Sequence, residues 1–406
     1  MRRILMHTYL AVVGFVGLVL GLFSRRLRYL PLSEPLVALV VGMALGPRAL
    51  DVLDLGRPVE VLGIAAEISL ALSLMSVALR FDLGEIRPQL GRVVIMLTIV
   101  LVGMTVVSAG LAAAVLALPA AGAWLTGAIL APTDPVLSSS IVAGDAAERD
   151  LPLRTRVVLS VESAANDGLT FALVAFGIVA VTGESLLREA GVSVAELAVG
   201  VAGGAALGWL AGRLLVLTEH HHEIEHSAFL VLTVSLALAT LGGVSLAGGQ
   251  PLVGVFAAGL TYNREISRSE RSEEWEVQEA VNRYLVLPVF VLLGVALPWT
   301  DWGDLGSRGP VFVLAVLALR RLPLVLAVRP LLRMGGVEAA FVGWFGPMGV
   351  AALFYLTEAV REGAADGTVW AAGTLLVVAS TLAHGVTATP VRSRTGPIMR
   401  ERAGGS

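Results

Sequence analysis

"LAPTDPVLSSSIVAGD", residues 130–145, puts two prolines and an aspartate inside a segment otherwise suited to a buried helix. Pro132 and Pro135 have no N–H to donate, and their rings clash with the carbonyls four residues earlier, those of Ala128 and Ala131. A helix through this stretch is predicted to break around 131–135 and to leave backbone oxygens free. Those oxygens, Thr133 Oγ and the Asp134 carboxylate form a cluster of hard ligands of the kind that suits a small hard cation. The two half-helix ends add partial charges that stabilise an ion or a crossing partner.

Composition says where this break lies. Of 406 residues, 56% are hydrophobic and 15% charged, and the mean hydropathy is +0.81. Apolar runs of about 18 residues or more recur along the chain, between Arg-rich or Gly/Pro-rich breaks. The fold class is therefore an all-α polytopic membrane protein. Continuous rather than alternating apolar runs speak against a transmembrane β-barrel. A window of roughly 20 residues places about 13 spans. They lie near 8–23, 35–50, 60–79, 93–118, 122–143, 157–181, 192–217, 227–246, 251–263, 284–299, 309–331, 336–358 and 368–388. The break at 131–135 falls mid-span, and interrupted backbone survives at that depth only when buried in protein or lining a watery cavity. The chain has no cysteine, which excludes disulfides and cysteine metal sites, and all 29 basic residues are arginine, which excludes lysine chemistry.

Arginine also orients the chain. With 13 spans, one side holds 20 arginines and the other, which includes the N-terminus, holds 7; Arg320 and Arg321 fall inside a span. This bias predicts a cytoplasmic C-terminus and an external N-terminus in a cytoplasmic (inner) membrane, against the pull of the leading "MRR". No A-x-A-like cleavage site follows the first apolar run.

Ionisable residues within spans are few, and each is a functional candidate by default. Asp134 lies in the fifth span, Glu162 and Asp167 in the sixth ("LSVESAANDGLTFALV"), and Arg320 and Arg321 in the eleventh. Ser163 and Asp167 are four apart, so hydroxyl and carboxylate share a helix face; Glu162 and Asn166 form the adjacent stripe. Gly168 permits close approach of another helix. Small polar residues such as Ser163 and Asn166 also serve simply as helix glue, whereas carboxylates are expensive glue. Glu162 needs a cationic partner, and a buried Glu162–Arg321 pair is predicted; the alternative is that both arginines snorkel to an interface. A second break, at Gly346, Pro347 and Gly349, interrupts the twelfth span in "FVGWFGPMGVAALFYL", 341–356. Two interrupted spans in separate halves point to inverted repeats with a site between them. Outside the spans, "REISRSERSEEWEVQEAVNR" (264–283) reads as a solvated amphipathic connector with a regulatory role as the alternative, and "EHHHEIEH" (219–226) as a solvated loop with metal binding or pH sensing as the alternative.

"APTDPVLSSSIV", "VESAANDGLTF" and "GWFGPMGVAALFY" resemble the cation:proton antiporter family, in the branch of bacterial NhaP-type antiporters and sodium/hydrogen exchangers; "FGPMG" is closest to fungal-like bacterial members. "FVLLGVALPW" (290–299) and "EHSAFLVLTVSLALATLGG" (225–243) agree. The resemblance implies 13 helices with two crossing unwound helices, and a homodimer. It implies a transmembrane antiporter domain over 1–388 with a core including about 60–181 and 309–388. Dimerisation helices would lie at about 8–50 and 192–263, with a short cytoplasmic tail at 389–406. It gives Asp167 the alternate carriage of cation and proton, adds Asp134, Thr133 and Ser163 to the Na⁺ shell, and makes Asn166 an organiser of the site. It pairs Glu162 with Arg321. An Asn before the carboxylate goes with one-for-one, electroneutral exchange in such relatives. Two departures bear on selectivity and pH dependence: Ser76 stands where many members have Glu, in a pattern like "FEAGL", and Met348 stands where many have Arg, in "GLRG".

The expected function is secondary antiport of Na⁺ (or Li⁺) for H⁺ by alternating access, with K⁺/H⁺ exchange on the same fold as the alternative. Proton and cation compete for one carboxylate, and the core reorients when either neutralises it, because moving a bare carboxylate through apolar surroundings is costly. No enzyme activity, nucleic-acid partner or cofactor beyond the transported ions is expected. An intramembrane aspartyl protease is the rival from another class, but its Gly-x-Gly-Asp pattern is missing. A channel would show flux without proton coupling. A sensor would normally carry a sizeable soluble domain, and only about 18 residues follow the last span.

Overall fold

A computed structural model describes residues 14, 33–219, 226–266 and 287–404. Apart from residue 14, the expected 8–23 span lies outside them, as do all but the edges of the 219–226 and 264–283 segments. Among the described residues every regular element is helical.

In chain order the helices are α1 (Glu34–Leu45), α2 (Pro58–Arg80), α3 (Leu83–Leu116), α4 (Ala120–Ile129), α5 (Pro135–Val142), α6 (Gly144–Asp150) and α7 (Leu153–Thr182). Then come α8 (Leu186–Glu219), α9 (His226–Leu246), α10 (Pro251–Glu265), α11 (287–295) and α12 (Trp299–Leu305). The last are α13 (Arg308–Leu319), α14 (Leu322–Leu332), α15 (Gly336–Trp344), α16 (Val350–Arg361) and α17 (Gly367–Gly404). Among the described residues six segments are long and apolar enough to cross a membrane: Pro58–Arg80, Leu83–Leu116, Leu153–Thr182, Leu186–Thr218, Arg308–Leu332 and Gly367–Glu401.

Local chemistry sets the ends. Pro58 opens α2 at a position where its missing N–H is no loss. Asp82 and Glu85 form a capping box that starts α3. The Asn263 amide on α10 donates to the carbonyls of Ala78 (2.6 Å) and Phe81 (2.9 Å), which closes the C-terminal end of α2. Gly183, at φ 81°, ends α7 in the left-handed conformation that glycine adopts without strain.

Among the expected spans that differ in outline from the sequence reading, two bear on the site and the tail. The 309–331 span is broken at Arg320–Arg321 into α13 and α14, because Pro323 lacks an N–H and its ring opposes the Leu319 carbonyl. The last span, expected to end at 388, continues as helix to Gly404 despite Pro390 and Pro397. Its extension is held by Arg392, whose Nε lies 3.2 Å from Asp150 Oδ2, and by Arg400, which donates to the Glu148 carbonyl.

α7, which carries several candidate residues, packs against α4 and α10. Gly168 lets Val253 of α10 lie against it, and the Trp124 indole of α4 donates to the Leu173 carbonyl at 3.2 Å. α2 and α16 line the apolar core beside it with Leu70, Leu74, Leu353 and Leu356, all buried. Burying each such side chain contributes about 1.5–3 kcal/mol while it is measured against water; in lipid the gain comes from packing instead.

Candidate functional site

The site is built from helix ends. α4 stops at Ile129 and α5 starts at Pro135; α15 stops at Trp344 and α16 starts at Val350. The two gaps touch, because the backbone N–H of Asp134 donates to the Pro347 carbonyl at 2.8 Å.

Asp134 serves both N-terminal ends. Its Oδ1 accepts from the Leu137 N–H of α5 at 3.0 Å, and its Oδ2 accepts from the Ala351 N–H of α16 at 3.2 Å. A carboxylate is favoured there because unsatisfied N–H groups give a helix N-terminus partial positive charge. Gly349 makes room for it: a Cβ at that position would stand 2.6 Å from Asp134 Oδ2.

Arg320 serves both C-terminal ends. Its guanidinium donates to the carbonyls of Leu130, Ala131 (3.2 Å) and Pro132 (3.4 Å) on one side and of Gly346 on the other. Of the two carbonyls that Pro132 and Pro135 deprive of a donor, expected to face an ion, that of Ala131 is turned toward this guanidinium, while that of Ala128 accepts the Ala131 N–H at 3.2 Å. A buried arginine needs acceptors, and a helix C-terminus supplies them with the right sign of partial charge. The sequence pointed to Arg320 as an intramembrane charge but gave no sign of this role.

Arg321 meets Glu162 in a two-pronged ion pair: Nη1 lies 2.9 Å from Oε1 and Nη2 lies 3.0 Å from Oε2. Its Nε donates to the Val342 carbonyl at 3.1 Å. Arg320 and Arg321 are each 2% exposed, so neither snorkels. Gly346 is needed beside this pair, since a Cβ there would overlap the Arg321 side chain.

The remaining site residues gather around Thr133. Its Oγ lies 2.9 Å from Ser163 Oγ, accepts from Asn166 Nδ2 at 2.8 Å, and lies 3.4 Å from both oxygens of Glu162. Ser138 Oγ, which the sequence reading passed over within a serine run, joins Ser163 at 3.2 Å. Asp167 is one helical turn further along α7 and 1% exposed. Among the described residues neither of its carboxylate oxygens has a hydrogen-bond partner, while its backbone carbonyl accepts from the Tyr355 hydroxyl at 2.6 Å. A buried carboxylate without a donor is costly, so this group has unused capacity for a cation or a proton.

Two side chains of α17 hold the second gap and escaped the sequence reading. Ser380 Oγ accepts from the Met348 N–H at 2.8 Å, and His384 Nε2 lies 2.9 Å from the Trp344 carbonyl. Their signal was a single histidine inside the last span. Ser76 is fully buried on α2, and Met348 is 1% exposed.

Comparison with known proteins follows from this geometry. A profile of the family described as "Sodium/hydrogen exchanger, transmembrane" matches residues 12–393. The chain is 28% identical over 366 residues to Na(+)/H(+) antiporter 2 of Zygosaccharomyces rouxii, covering 86% of this chain and 45% of that protein. It is 30% identical over 243 residues to the Na(+)/H(+) antiporter of Saccharomyces cerevisiae, covering 57% of this chain and 25% of that protein. It thus spans about half or less of the length of these relatives. The solved sodium proton antiporter MjNhaP1 from Methanocaldococcus jannaschii at pH 8 superposes with a TM-score of 0.75 over 94% of this chain and 99% of that one, at 18% identity, which speaks for the fold. With the profile running over nearly its full length, the chain belongs to the sodium/hydrogen exchanger family.

Proposed function

We propose that the protein exchanges Na⁺ or Li⁺ for H⁺ across the cytoplasmic membrane, one for one, by alternating access. The observation that carries this reading is the Asp167 carboxylate, buried and without a protein donor among the described residues, one turn along α7 from Ser163, whose hydroxyl meets that of Thr133. We assign Asp167 the alternate binding of cation and proton, with Thr133 and Ser163 supplying further oxygens and Asn166 orienting Thr133. Both oxygens of Asp134 already accept backbone N–H groups. We therefore assign Asp134 the fixed negative charge of the cation site rather than the group that titrates. Glu162 and Arg321 form the rigid floor. No cofactor beyond the transported ions takes part.

Competition gives the coupling. The site accepts a cation or a proton, and the core moves when either neutralises Asp167, since a bare carboxylate is expensive to carry through apolar surroundings. In this reading the chain has 13 spans, with the two gaps crossing at mid-membrane. The moving core is drawn from about 60–181 and 309–388, and a homodimer is held by about 8–50 and 192–263. The N-terminus lies outside and the C-terminus in the cytoplasm, as the arginine bias favours. The test is proton flux in reconstituted vesicles driven in turn by Na⁺, Li⁺ and K⁺. Asp167→Asn is expected to abolish flux with every cation, and full exchange by that variant sinks the assignment. A response to K⁺ alone would replace sodium by potassium as the substrate.

A further inference from the structure

The site residues of α7 stand at one end of a longer polar line. Arg156, Ser160, Ser163 and Asp167 follow at intervals of four, three and four, so they stack on one face of an unbroken helix. Past Asp167 and Thr170 the same face turns apolar, with Phe171, Val174 and Ile178. The line is therefore polar toward one end of the bundle only. At that end lies a cleft of about 110 Å³ whose charged walls are Arg80, Glu85, Glu148 and Arg156. Ser160, Ser163 and Asp167 are each 1% exposed, so the cleft stops short of them.

What stands between is Arg80, the last residue of α2. It lines the cleft, and its Nη1 donates to Ser160 Oγ at 3.2 Å. A cation moving from the cleft to Ser163 and Asp167 has to pass Ser160, and it cannot share that position with a guanidinium, because like charges a few ångströms apart repel. Glu85 and Glu148, on the cleft wall, offer the guanidinium a second seat if it withdraws. Arg156 is already held there by Glu148 at 2.8 Å.

We propose that Arg80 gates the ion path: by holding Ser160 it closes the step between the cleft and Asp167, and the path opens when the arginine swings toward the cleft carboxylates. This rests on the reading that Asp167 carries the ion. Because the chain has no cysteine, a single Ser160→Cys reports access directly. In reconstituted full-length protein, its modification by a small cationic methanethiosulfonate is expected to speed up about tenfold when Arg80→Gln is added, as a mostly closed path would require, and to stay slow with Arg80→Lys. In the chain with native Ser160, Arg80→Gln and Ser160→Ala are expected to lower the half-saturating Na⁺ concentration severalfold. Equal thiol reactivity in all three backgrounds overturns the gate. So does a loss of transport shared by Arg80→Gln and Arg80→Lys together with a lower melting temperature, which marks Arg80 as structural. A native chain without cation-driven proton flux overturns the assignment of Asp167 instead, and the thiol comparison separates that failure from failure of the gate.

Discussion

Asp134 and Arg320 divide four half-helix ends between them: the carboxylate takes the N-terminal ends of α5 and α16, and the guanidinium takes the C-terminal ends of α4 and α15. Each charge matches the sign of the partial charges it faces. Two backbone gaps that would otherwise expose unpaired groups in an apolar interior are closed by one acid and one base. Asp167 has no such task, and that difference separates the two aspartates by experiment.

Asp134→Asn should lower stability by about 1–2 kcal/mol, since the amide loses the charge that two helix N-termini favour. Asp167→Asn should leave the melting temperature unchanged or raise it, because it removes a buried charge that none of the described residues pairs. Thermal unfolding of both variants in detergent decides this. A large loss in Asp167→Asn would mean that its carboxylate is a structural pin.

Arg320→Gln should cost about 3 kcal/mol, the range for hydrogen bonds to a charged group, because the carbonyls of both C-terminal ends lose their donor together. Arg320→Lys keeps the charge but not the fork that reaches Leu130 and Gly346 at once, so it should recover only part of that loss. Full recovery with lysine would show that charge alone, rather than the two-sided geometry, holds the gaps.

How far the sequence could be read depends on whether the cause was local. Pro132 and Pro135 break a helix wherever it lies, so the 131–135 gap is legible, as are the stripe of Ser163 and Asp167 and the family itself. Glu162 had two adjacent arginines to choose from. The expected choice of Arg321 holds, and the turn at 320–321, which points the two to different partners, gives Arg320 the helix ends, a role that no local pattern signalled. The contact between the two gaps, and the grip of Ser380 and His384 on the second, join residues far apart in sequence that no local pattern links. The extension of α17 to Gly404 was hidden because Pro390 and Pro397 read as helix breakers, while the pairing of Arg392 with Asp150 is a tertiary contact.

Glu162→Gln leaves the Arg321 guanidinium buried without its counter-charge, and Arg321→Met does the converse to Glu162, so each single change should cost about 3–5 kcal/mol. Glu162→Leu combined with Arg321→Met should cost much less than the sum of the single losses, because no unpaired charge remains. A double-mutant cycle on unfolding free energy measures the coupling. Additive losses would mean that the two-pronged contact contributes little.

The competition proposed for Asp167 also fixes the sign of the pH dependence. Protonating Asp167 removes the form that binds a cation, so the half-saturating Na⁺ concentration should rise as pH falls, approaching about tenfold per pH unit once the protonated form dominates. On the alkaline side that concentration should level off while turnover declines, because the empty, charged carrier cannot return without a proton. The rate at fixed Na⁺ is then bell-shaped in pH. Asp167→Glu should displace both limbs, since it alters the titrating group, whereas the Arg320→Lys change at the helix ends should lower the rate without moving them. Initial rates of vesicle proton flux over a matrix of pH and Na⁺ distinguish the cases. A half-saturating Na⁺ concentration that is flat in pH would show that proton and cation occupy separate sites.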